Sequence, residues 1–352
     1  MATPKMTKEM MQEAVNMVAQ HGNVGLAARK TGISVSTLRH RIKLAQEHGI
    51  TADIDPSLPD FPPDDVPHSD IKELQKNSFL ARTKSYEAHT WFPLKFPTNE
   101  PVMLAFIGDP HLDDDGHNVP QFQADLELCA QTKGVYGWMM GDVLNSWPSG
   151  GRLAEKWGDQ LMRRKDGNNG MRELIEMFHF WKVWLIGNHE NMRDTEDLIR
   201  QIAKNKDMVV HMWECRSTCV FPNGRTVFVR AAHDFKGSSW FHELHGNIRA
   251  LLECPSHIVV AGHHHDHAYM RREVPQISHL INNGLPFTTH LMRVRGYKHL
   301  DKYGLIKGFN DYKEGASAAA IINPKAKTAA EFIRIEQDLE GGVDRLNWLR
   351  KR

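Results

Sequence analysis

Seven side chains of types that commonly bind metal ions follow short apolar runs in this sequence. They are Asp109, His111, Asp142, Asn188, His233, His263 and His265. Two pairs of them are separated by a single residue, and residues i and i+2 of an extended chain project to the same side. Each of these pairs could therefore hold one metal ion.

The mixture of carboxylate, imidazole and amide groups favours borderline divalent ions over Mg²⁺ or Ca²⁺, which prefer sites made of oxygen alone. Mn²⁺ is the first expectation, with Fe²⁺ or Zn²⁺ as alternatives. Seven ligands exceed the needs of one ion, so the set predicts two divalent ions that share a bridging carboxylate. A lone histidine is usually a surface residue, and a Gly-Asp pair usually marks a turn. That explanation does not account for the whole set, because chance would have to place such polar residues after five separate apolar runs.

The elements that must position these side chains are apolar runs of four to six residues. They are Val102–Ile107, Tyr136–Met140, Trp181–Ile186, Val227–Ala232 and Ile258–Ala261. Such runs, bounded by glycine, are typical of strands that are buried on both faces. Helical patterns over Gln121–Ala130 and Met171–Phe180 separate several of them. The pattern predicts an α/β fold whose polar groups gather at the strand ends.

Taken in order, the motifs resemble those of the calcineurin-like metallophosphoesterase superfamily. The matching segments are Asp109-Pro110-His111, Gly141-Asp142, Gly187-Asn188-His189-Glu190, His233 and Gly262-His263-His264-His265. The resemblance covers roughly residues 100–270. It implies a four-layer α-β-β-α sandwich of two mixed sheets and a metal-dependent phosphoester hydrolase.

The resemblance also assigns roles to individual residues. One metal would take Asp109, His111, Asp142 and His265, and the other would take Asp142, Asn188, His233 and His263. His189 would bind no metal, and it would instead protonate the leaving oxygen or stabilise the transition state. Asn145 stands where the phosphoprotein-phosphatase branch has an acidic residue, which weakens the analogy with that branch.

The first fifty residues are basic, with seven Lys and Arg against three Glu, and they read as three helices. The predicted helices are Thr7–Gln20, Val24–Lys30 and Ser34–Glu47, with Ser34 as the N-cap of the third. The segment resembles a helix-turn-helix of the Fis or transposase type. Its predicted DNA contacts are Ser36, Thr37, Arg39, His40 and Arg41. The alternative is a small basic helical bundle that binds a protein partner.

The chain is expected to have three parts: a DNA-binding head over 1–50, an acidic linker with a helical lead-in over 51–90, and the α/β domain over 91–352. Residues 51–70 contain five prolines and six aspartates but no Lys or Arg, which favours an extended chain. Two further basic stretches, Arg152–Arg172 and Arg293–Lys313, could follow a single-stranded nucleic acid. The alternative is that their aromatic side chains pack inside the domain.

The composition is that of an ordinary globular protein: 352 residues, 41% hydrophobic, with a net charge of +1 that selects no partner. The longest apolar run is far shorter than the roughly 20 residues that span a bilayer, so no membrane association is expected. The N-terminus lacks the apolar segment of a secretory signal. Four cysteines without a CxxC pair favour a reducing, cytoplasmic location.

The leading functional prediction is a two-metal phosphodiesterase or nuclease that acts on nucleic acid. One alternative is a phosphomonoesterase or cyclic-nucleotide phosphodiesterase that its head merely locates. A second alternative is a DNA-binding regulator whose metal domain is inactive. Helix-turn-helix heads joined to such domains also resemble proteins of phages and mobile elements. The sequence assigns no oligomeric state.

Overall fold

The three-dimensional structure is a computed structural model. It describes residues 6–21, 24–50, 52, 71–147, 150, 156, 162–192, 195–237, 239, 241–273, 288–299 and 317–352. Residues 51 and 53–70 of the predicted linker, residues 152–155 and 157–161 of the first basic stretch and residues 300–313 of the second lie outside the described residues.

Three helices form the N-terminal part: α1 (Lys8–His21), α2 (Val24–Thr31) and α3 (Val35–Glu47). Their bounds agree with the predicted helices to within one residue. The Ser34 hydroxyl accepts a hydrogen bond from the Thr37 N–H and caps α3, as predicted. Ala14, Ala27 and Leu38 are fully buried where the three helices meet. The small alanine side chains let the helices approach closely around Leu38.

Two six-stranded mixed sheets form the α/β part. The first contains β2 (Val102–Ile107), β3 (Val135–Met139), β4 (Trp181–Ile186), β5 (Val209–Met212), β11 (Ala318–Ile322) and β12 (Ile333–Glu336). Its order is β12-β11-β2-β3-β4-β5, and β2 to β5 are parallel.

The second sheet contains β1 (Trp91–Lys95), β6 (Glu214–Val220), β7 (Thr226–Ala232), β8 (Ile258–Ala261), β9 (Ala268–Glu273) and β10 (Thr288–Arg293). Its order is β1-β6-β7-β8-β10-β9, with β7 and β8 parallel. All five predicted apolar runs are strands, with bounds that agree to within one residue.

Within the described residues, six helices accompany the sheets: α5 (Val119–Gln131), α6 (Arg164–Met177), α7 (Thr195–Ala203), α8 (His245–Glu253), α9 (Ala329–Phe332) and α10 (Leu339–Arg350). A further helix, α4 (Ile71–Thr90), leads directly into β1 and confirms the predicted helical lead-in. None of the described helices is long and apolar enough to cross a membrane.

The predicted helix over Met171–Phe180 is wrong at both ends, because α6 begins at Arg164 and ends at Met177. The Phe180 carbonyl accepts a hydrogen bond from the Gly137 N–H in the neighbouring strand β3, at 2.8 Å. Sheet pairing therefore already begins at Phe180. An apolar run cannot reveal such pairing from its own pattern, since buried helices and buried strands have the same composition.

The main core lies between the two sheets and contains Phe92 of β1, Phe106 of β2 and Trp138 of β3, all of them fully buried. A second apolar layer lies between the first sheet and its helices. A third lies between the second sheet and α8. Burial of one large apolar side chain stabilises the fold by about 2–3 kcal/mol. The predicted four-layer α-β-β-α sandwich is confirmed, with helices on the outside of two mixed sheets.

Candidate metal centre

The predicted ligands lie just beyond the carboxyl ends of β2, β3, β4, β7 and β8. Because β2, β3 and β4 are adjacent and parallel, the residues that follow them meet at one edge of the first sheet. His233 follows β7, and His263 and His265 follow β8, which is the parallel neighbour of β7 in the second sheet. The two sheets thus bring residues far apart in sequence into a single site.

Three overlapping groups of ligand atoms result, and within each group the atoms lie within 4.8 Å of one another. The groups are Asp109 with His111 and His265, His111 with Asp142 and His189, and Asp142 with His233 and His263. Six of the seven predicted ligands belong to these groups.

Asn188, the seventh, joins the third group through its side-chain oxygen. The Nε2 atom of His233 lies 2.9 Å from Asn188 Oδ1, 3.1 Å from His263 Nδ1 and 3.2 Å from Asp142 Oδ2. Two ligands about 2.1 Å from one ion and at right angles to each other would be about 3 Å apart. The four side chains therefore have the spacing and the donor atoms of a divalent metal site.

Buried nitrogen atoms mark the other half of the centre. His111 Nε2 lies 3.3 Å from His265 Nε2, and the buried Nδ1 of His111 has no hydrogen-bond partner among the described residues. Burial lowers the pKa of His265 to about 4 and the pKa of His111 well below its usual range. Both imidazoles are therefore neutral at neutral pH, which is the form that binds a metal. The residues of this half fit a second ion.

Asp142 lies between the two halves of the centre. Its Oδ2 is 3.2 Å from His233 Nε2 and 3.8 Å from His189 Nε2. Burial alone would raise the pKa of the Asp142 carboxyl, but the neighbouring His233 and His189 hold this pKa well below its usual range. The carboxylate therefore remains ionised, as a ligand shared by two cations must.

The backbone at the centre adopts a conformation that is rare elsewhere in the chain. Among the described residues, a positive φ at a non-glycine position occurs at Asp109, His111, Asp142, Ser146, Trp213, His263 and His265. Five of these seven are predicted ligands. Left-handed backbone is uncommon outside glycine and tends to occur at functional sites, although Asp and His tolerate it better than most residues.

Two glycines beside the ligands have no room for a side chain. A Cβ atom at Gly141, which has a φ of +103°, would lie 2.6 Å from His233 Nδ1. A Cβ atom at Gly187 would lie 2.2 Å from Asp142 Oδ1. These close approaches explain why the sequence places glycine directly after the apolar runs Tyr136–Met140 and Trp181–Ile186.

Glu190 lies behind the centre, and sequence reasoning assigns it no role beyond membership of the Gly187-Asn188-His189-Glu190 motif. Its fully buried carboxylate accepts hydrogen bonds from the backbone N–H of Asp142 at 3.0 Å, of Gly187 at 2.8 Å and of Val143. Burial, reinforced by the charge of Asp142, raises the pKa of Glu190 to about 7. The side chain thereby ties the loop after β3 to the loop after β4.

His189 is held by the backbone of Asn145. Its Nδ1 lies 2.6 Å from the Asn145 carbonyl oxygen, which can only accept, so Nδ1 carries a hydrogen and Nε2 faces Asp142. The Asn145 side chain turns away and donates to Asp114 Oδ2 at 2.6 Å, and Lys298 Nζ lies 2.8 Å from the same oxygen. Asn145 therefore orients the imidazole through its carbonyl and not through its amide. The catalytic role of His189 stays a prediction.

The described part of the Arg293–Lys313 stretch follows the packed alternative. Arg293 is 7% exposed and pairs with Asp266 at 2.8 Å, whereas Tyr297 is fully buried and donates to Asp125 Oδ2 at 2.7 Å. Lys298 is engaged with Asp114. The expectation that residues 293–298 expose cations and aromatic rings to a nucleic acid is wrong, because these side chains complete the interior instead.

Helix α3 carries the predicted DNA contacts. Ser36, Arg39 and His40 are exposed and lie at i, i+3 and i+4, so they share one face of the helix. Thr37 and Arg41 are half-buried, and the Thr37 hydroxyl is 2.7 Å from the hydroxyl of the N-cap Ser34. Three of the five predicted contacts are therefore fully accessible on the surface, and the other two are accessible in part.

A family model described as a helix-turn-helix domain matches residues 12–56. Together with the three packed helices, this match identifies a helix-turn-helix domain at the N-terminus. Among curated proteins, none matches the chain.

Several solved structures resemble the chain remotely. A metallophosphoesterase from Sphaerobacter thermophilus is 12% identical, with a TM-score of 0.34 over 71% of this chain and 97% of that chain. Vacuolar protein sorting 29 from Cryptosporidium parvum is 9% identical, with a TM-score of 0.35 over 67% and 96%. The same protein from Entamoeba histolytica, complexed with Zn²⁺, is 9% identical, with a TM-score of 0.31 over 67% and 97%. At this distance, the metal centre has to be inferred from the side chains of this chain alone.

Proposed function

We propose that this protein is a two-metal phosphodiesterase that cleaves nucleic acid and is brought to DNA by its helix-turn-helix domain. The observation that carries the proposal is the convergence of Asp142, Asn188 and His263 on His233 Nε2 at 2.9 to 3.2 Å, beside the group of Asp109, His111 and His265. Asp142 takes part in both halves and is the natural bridging ligand.

When bound, a pair of divalent ions supplies activated water and neutralises phosphoryl oxygens during in-line displacement. The ligand chemistry favours Mn²⁺, with Fe²⁺ and Zn²⁺ as alternatives. The ionised Asp142 would balance the charge of both ions, and the imidazoles of His111 and His265, which are neutral at neutral pH, would each offer a lone pair to a metal. This arrangement needs no side-chain nucleophile.

His189 is the candidate proton donor for the leaving oxygen. Its Nδ1 hydrogen is bound to the Asn145 carbonyl, so Nε2 can donate a proton only while the whole imidazole is positively charged. Asp142 Oδ2 lies 3.8 Å from Nε2. After donation, His189 is neutral and keeps the same hydrogen bond to Asn145. The imidazole can therefore change its charge without moving.

The helix-turn-helix domain supports a nucleic acid as the substrate class. An exposed face of α3 carries Ser36, Arg39 and His40, and side chains of these types contact phosphates and base edges. The alternative is that the α/β domain is a phosphomonoesterase or a cyclic-nucleotide phosphodiesterase. The helix-turn-helix domain would then serve only to locate the enzyme on DNA. An inactive regulatory domain is the weaker alternative, because all seven ligands are present and brought together. The four cysteines are unpaired, in keeping with the proposed cytoplasmic location.

The test uses the purified full chain with Mn²⁺, Fe²⁺ or Zn²⁺ and three substrates: bis-p-nitrophenyl phosphate, p-nitrophenyl phosphate and end-labelled DNA. We expect hydrolysis of the diester and of DNA, with much weaker hydrolysis of the monoester. Preferential hydrolysis of the monoester would favour the phosphomonoesterase. Hydrolysis of none of the three with any metal would support the regulator instead.

A further inference from the structure

Two tryptophans stand next to the metal centre. The Trp147 ring lies 4.6 Å from the His189 ring, and the Trp213 ring lies 5.2 Å from the His233 ring, both in edge-on contact. Because His189 and His233 both face Asp142 Oδ2, each indole is separated from the shared carboxylate by a single imidazole. The two flanking tryptophans therefore border the position where a scissile phosphate would bind.

Neither of these indoles belongs to the core. Trp213 is 39% exposed and Trp147 is half-buried, whereas Trp138 and Trp184 of the first sheet are fully buried. A large aromatic side chain contributes most to stability when it is buried. Exposed indole surface beside a buried metal site is therefore better explained by a ligand than by folding.

The backbone of Trp213 is held in a conformation that a bulky residue rarely adopts, with a φ of +70°. Its N–H donates to the Ile186 carbonyl at 3.1 Å, and its carbonyl accepts from the His233 N–H at 2.7 Å. The indole N–H donates to the Asp234 carbonyl at 2.9 Å. The backbone N–H, the backbone carbonyl and the indole N–H of Trp213 are thus all engaged in hydrogen bonds within the protein. The face of the indole ring is therefore the part of this residue that can contact a ligand. Among the described non-glycine residues, the other position with a positive φ outside the predicted ligands is Ser146, directly before Trp147.

The flanking tryptophans are not needed to orient the two imidazoles. His233 Nδ1 is already fixed by the Met140 carbonyl at 2.8 Å, and His189 Nδ1 by the Asn145 carbonyl at 2.6 Å. Backbone carbonyls thus determine both ring orientations. The indoles add flat, rigid and partly exposed aromatic surface, which a centre for inorganic phosphate would leave unused.

We infer that Trp147 and Trp213 are stacking surfaces for the nucleobases next to the scissile phosphodiester. This inference rests on the proposed function and narrows it to unpaired nucleotides, because a base inside a duplex is covered on both faces and cannot reach an indole. Stacking on an aromatic side chain tolerates any base, since every base has a flat π face. The centre therefore selects single-stranded or frayed nucleic acid without reading its sequence.

The test compares two fluorescein-labelled oligomers: pentathymidylate and the same pentamer with abasic sites at its three central positions. Binding to the full chain is measured by fluorescence anisotropy with Mn²⁺ present, and both oligomers carry phosphorothioate linkages to suppress turnover. The variants are Trp213→Ala, Trp213→Phe and Trp147→Ala. The matched control is Trp348→Ala, because Trp348 of α10 is 41% exposed and stacks against Arg352 far along the chain from the ligands.

We expect the unmodified chain to prefer the base-bearing pentamer by about 10-fold or more, which is the size of effect that base stacking on aromatic side chains gives. Trp213→Ala and Trp147→Ala should each reduce this preference by about 5-fold or more. Trp213→Phe should keep most of it, and Trp348→Ala should keep all of it. Circular dichroism checks that each variant is folded. Should Trp213→Ala fail to fold, Trp213→Phe and Trp147→Ala still give a result.

Equal binding of both pentamers by the unmodified chain would overturn the inference. An equal loss of affinity for both pentamers in the alanine variants would also overturn it, because that loss would indicate a structural role. The proposed function is tested separately by diester hydrolysis with Mn²⁺. The chain could show the tryptophan-dependent preference for bases and yet hydrolyse no diester. That result would support the base site and contradict the proposed phosphodiesterase activity.

Discussion

The carboxylate of Glu190 accepts a hydrogen bond from the backbone N–H of Asp142 at 3.0 Å, so a buried acid lies directly behind the proposed shared metal ligand. The same carboxylate accepts a hydrogen bond from the N–H of Gly187 at 2.8 Å, just before the proposed ligand Asn188. One side chain thereby fixes the spacing of two strand ends that each carry a candidate ligand. The isosteric variant Glu190→Gln tests this arrangement.

Glu190→Gln exchanges one accepting oxygen for an N–H₂ group that faces backbone donors. We expect the free energy of unfolding to fall by about 2–3 kcal/mol, because one or more buried N–H groups lose their acceptor. Urea unfolding of the metal-free chain measures this loss. Glu340→Gln on the exposed start of α10 is the control and should change the stability by less than about 0.5 kcal/mol. A fall no larger than that of the control would show that the two loops are held in place by other contacts.

Asp142→Ala removes the shared ligand. We expect both ions to be lost or weakened and hydrolysis to be abolished, since each half of the centre keeps only part of its set. Elemental analysis of the metal-replete chain should give about two ions for the unmodified protein and fewer than one for the variant. Asp344→Ala, on the exposed face of α10, is the control and should keep both ions. An active, metal-replete chain with a single ion would contradict the two-metal proposal.

His189→Ala should keep both metals yet reduce hydrolysis by about 10²–10⁴-fold if His189 is a general acid. The reduction should be smaller for p-nitrophenyl esters than for alkyl esters, because a good leaving group needs no protonation. Rates on a matched pair of esters, together with metal analysis, measure both expectations. An equal reduction on both esters would leave His189 only an electrostatic role, and a loss of metal would make it a ligand.

Arg39→Glu tests the DNA-binding face of α3 within the full chain. Duplex DNA binding should weaken, and the slope of log K against log salt should fall by about one if Arg39 contacts one phosphate. Lys8→Glu, at the start of α1, makes the same change in net charge and is the matched control. Hydrolysis of a small chromogenic diester should remain as it was in both variants. Equal effects of the two substitutions on DNA binding would favour a general charge effect, or the protein-partner alternative, over a specific contact.

The pair of Asp125 and Tyr297 predicts a pH dependence of stability. Burial raises the pKa of Asp125 to about 6, so the folded chain favours the protonated acid. The corresponding stabilisation is complete below the pKa of about 4 in the unfolded chain, and it is lost as the pH rises through about 6. Between these pH values, we expect the free energy of unfolding to fall by up to about 2 kcal/mol, which allows for partial exposure of the group.

Asp125→Asn should remove most of this dependence, because an amide accepts the Tyr297 hydroxyl without titrating. The measurement is urea unfolding at several pH values between 4 and 7. Asp344→Asn, at an exposed position, should reproduce the pH profile of the unmodified chain. An identical slope in Asp125→Asn would mean that another group is responsible for the loss.

The strands, and the meeting of the candidate ligands at one site, could be predicted from the sequence because both leave local signals. An apolar run followed by glycine and a polar residue describes a buried strand and its end, and the strand bounds are accordingly correct to within one residue. The tight loops at Gly141 and Gly187 can also be predicted from a local signal, which is the glycine itself. Five ligand motifs in the right order sufficed to indicate which strand ends meet.

What could not be predicted depends on contacts between distant segments. Only the side chain of Asn145 can be considered from the sequence, whereas the structure shows that the backbone carbonyl of this residue contacts His189. Glu190 binds backbone groups 46 to 48 residues away, which no local pattern encodes. The packing of Tyr297 against Asp125 spans 172 residues, so a basic and aromatic stretch could be mistaken for a surface. Trp213 is one of nine tryptophans, and no sequence pattern distinguishes it from the others or predicts that it lies beside His233.

The left-handed backbone beneath the ligands also limits how the metal preference of this centre can change. At Asp109, His111 and Asp142, φ lies between 46° and 52°, a region that Asp, Asn and His enter more readily than other residues with a side chain. Exchange among these three types is therefore compatible with the fold. Cysteine and glutamate, the ligands that would move the site towards softer ions or towards Ca²⁺, would add backbone strain at the same positions. The accessible metals are thus constrained by φ as well as by coordination chemistry.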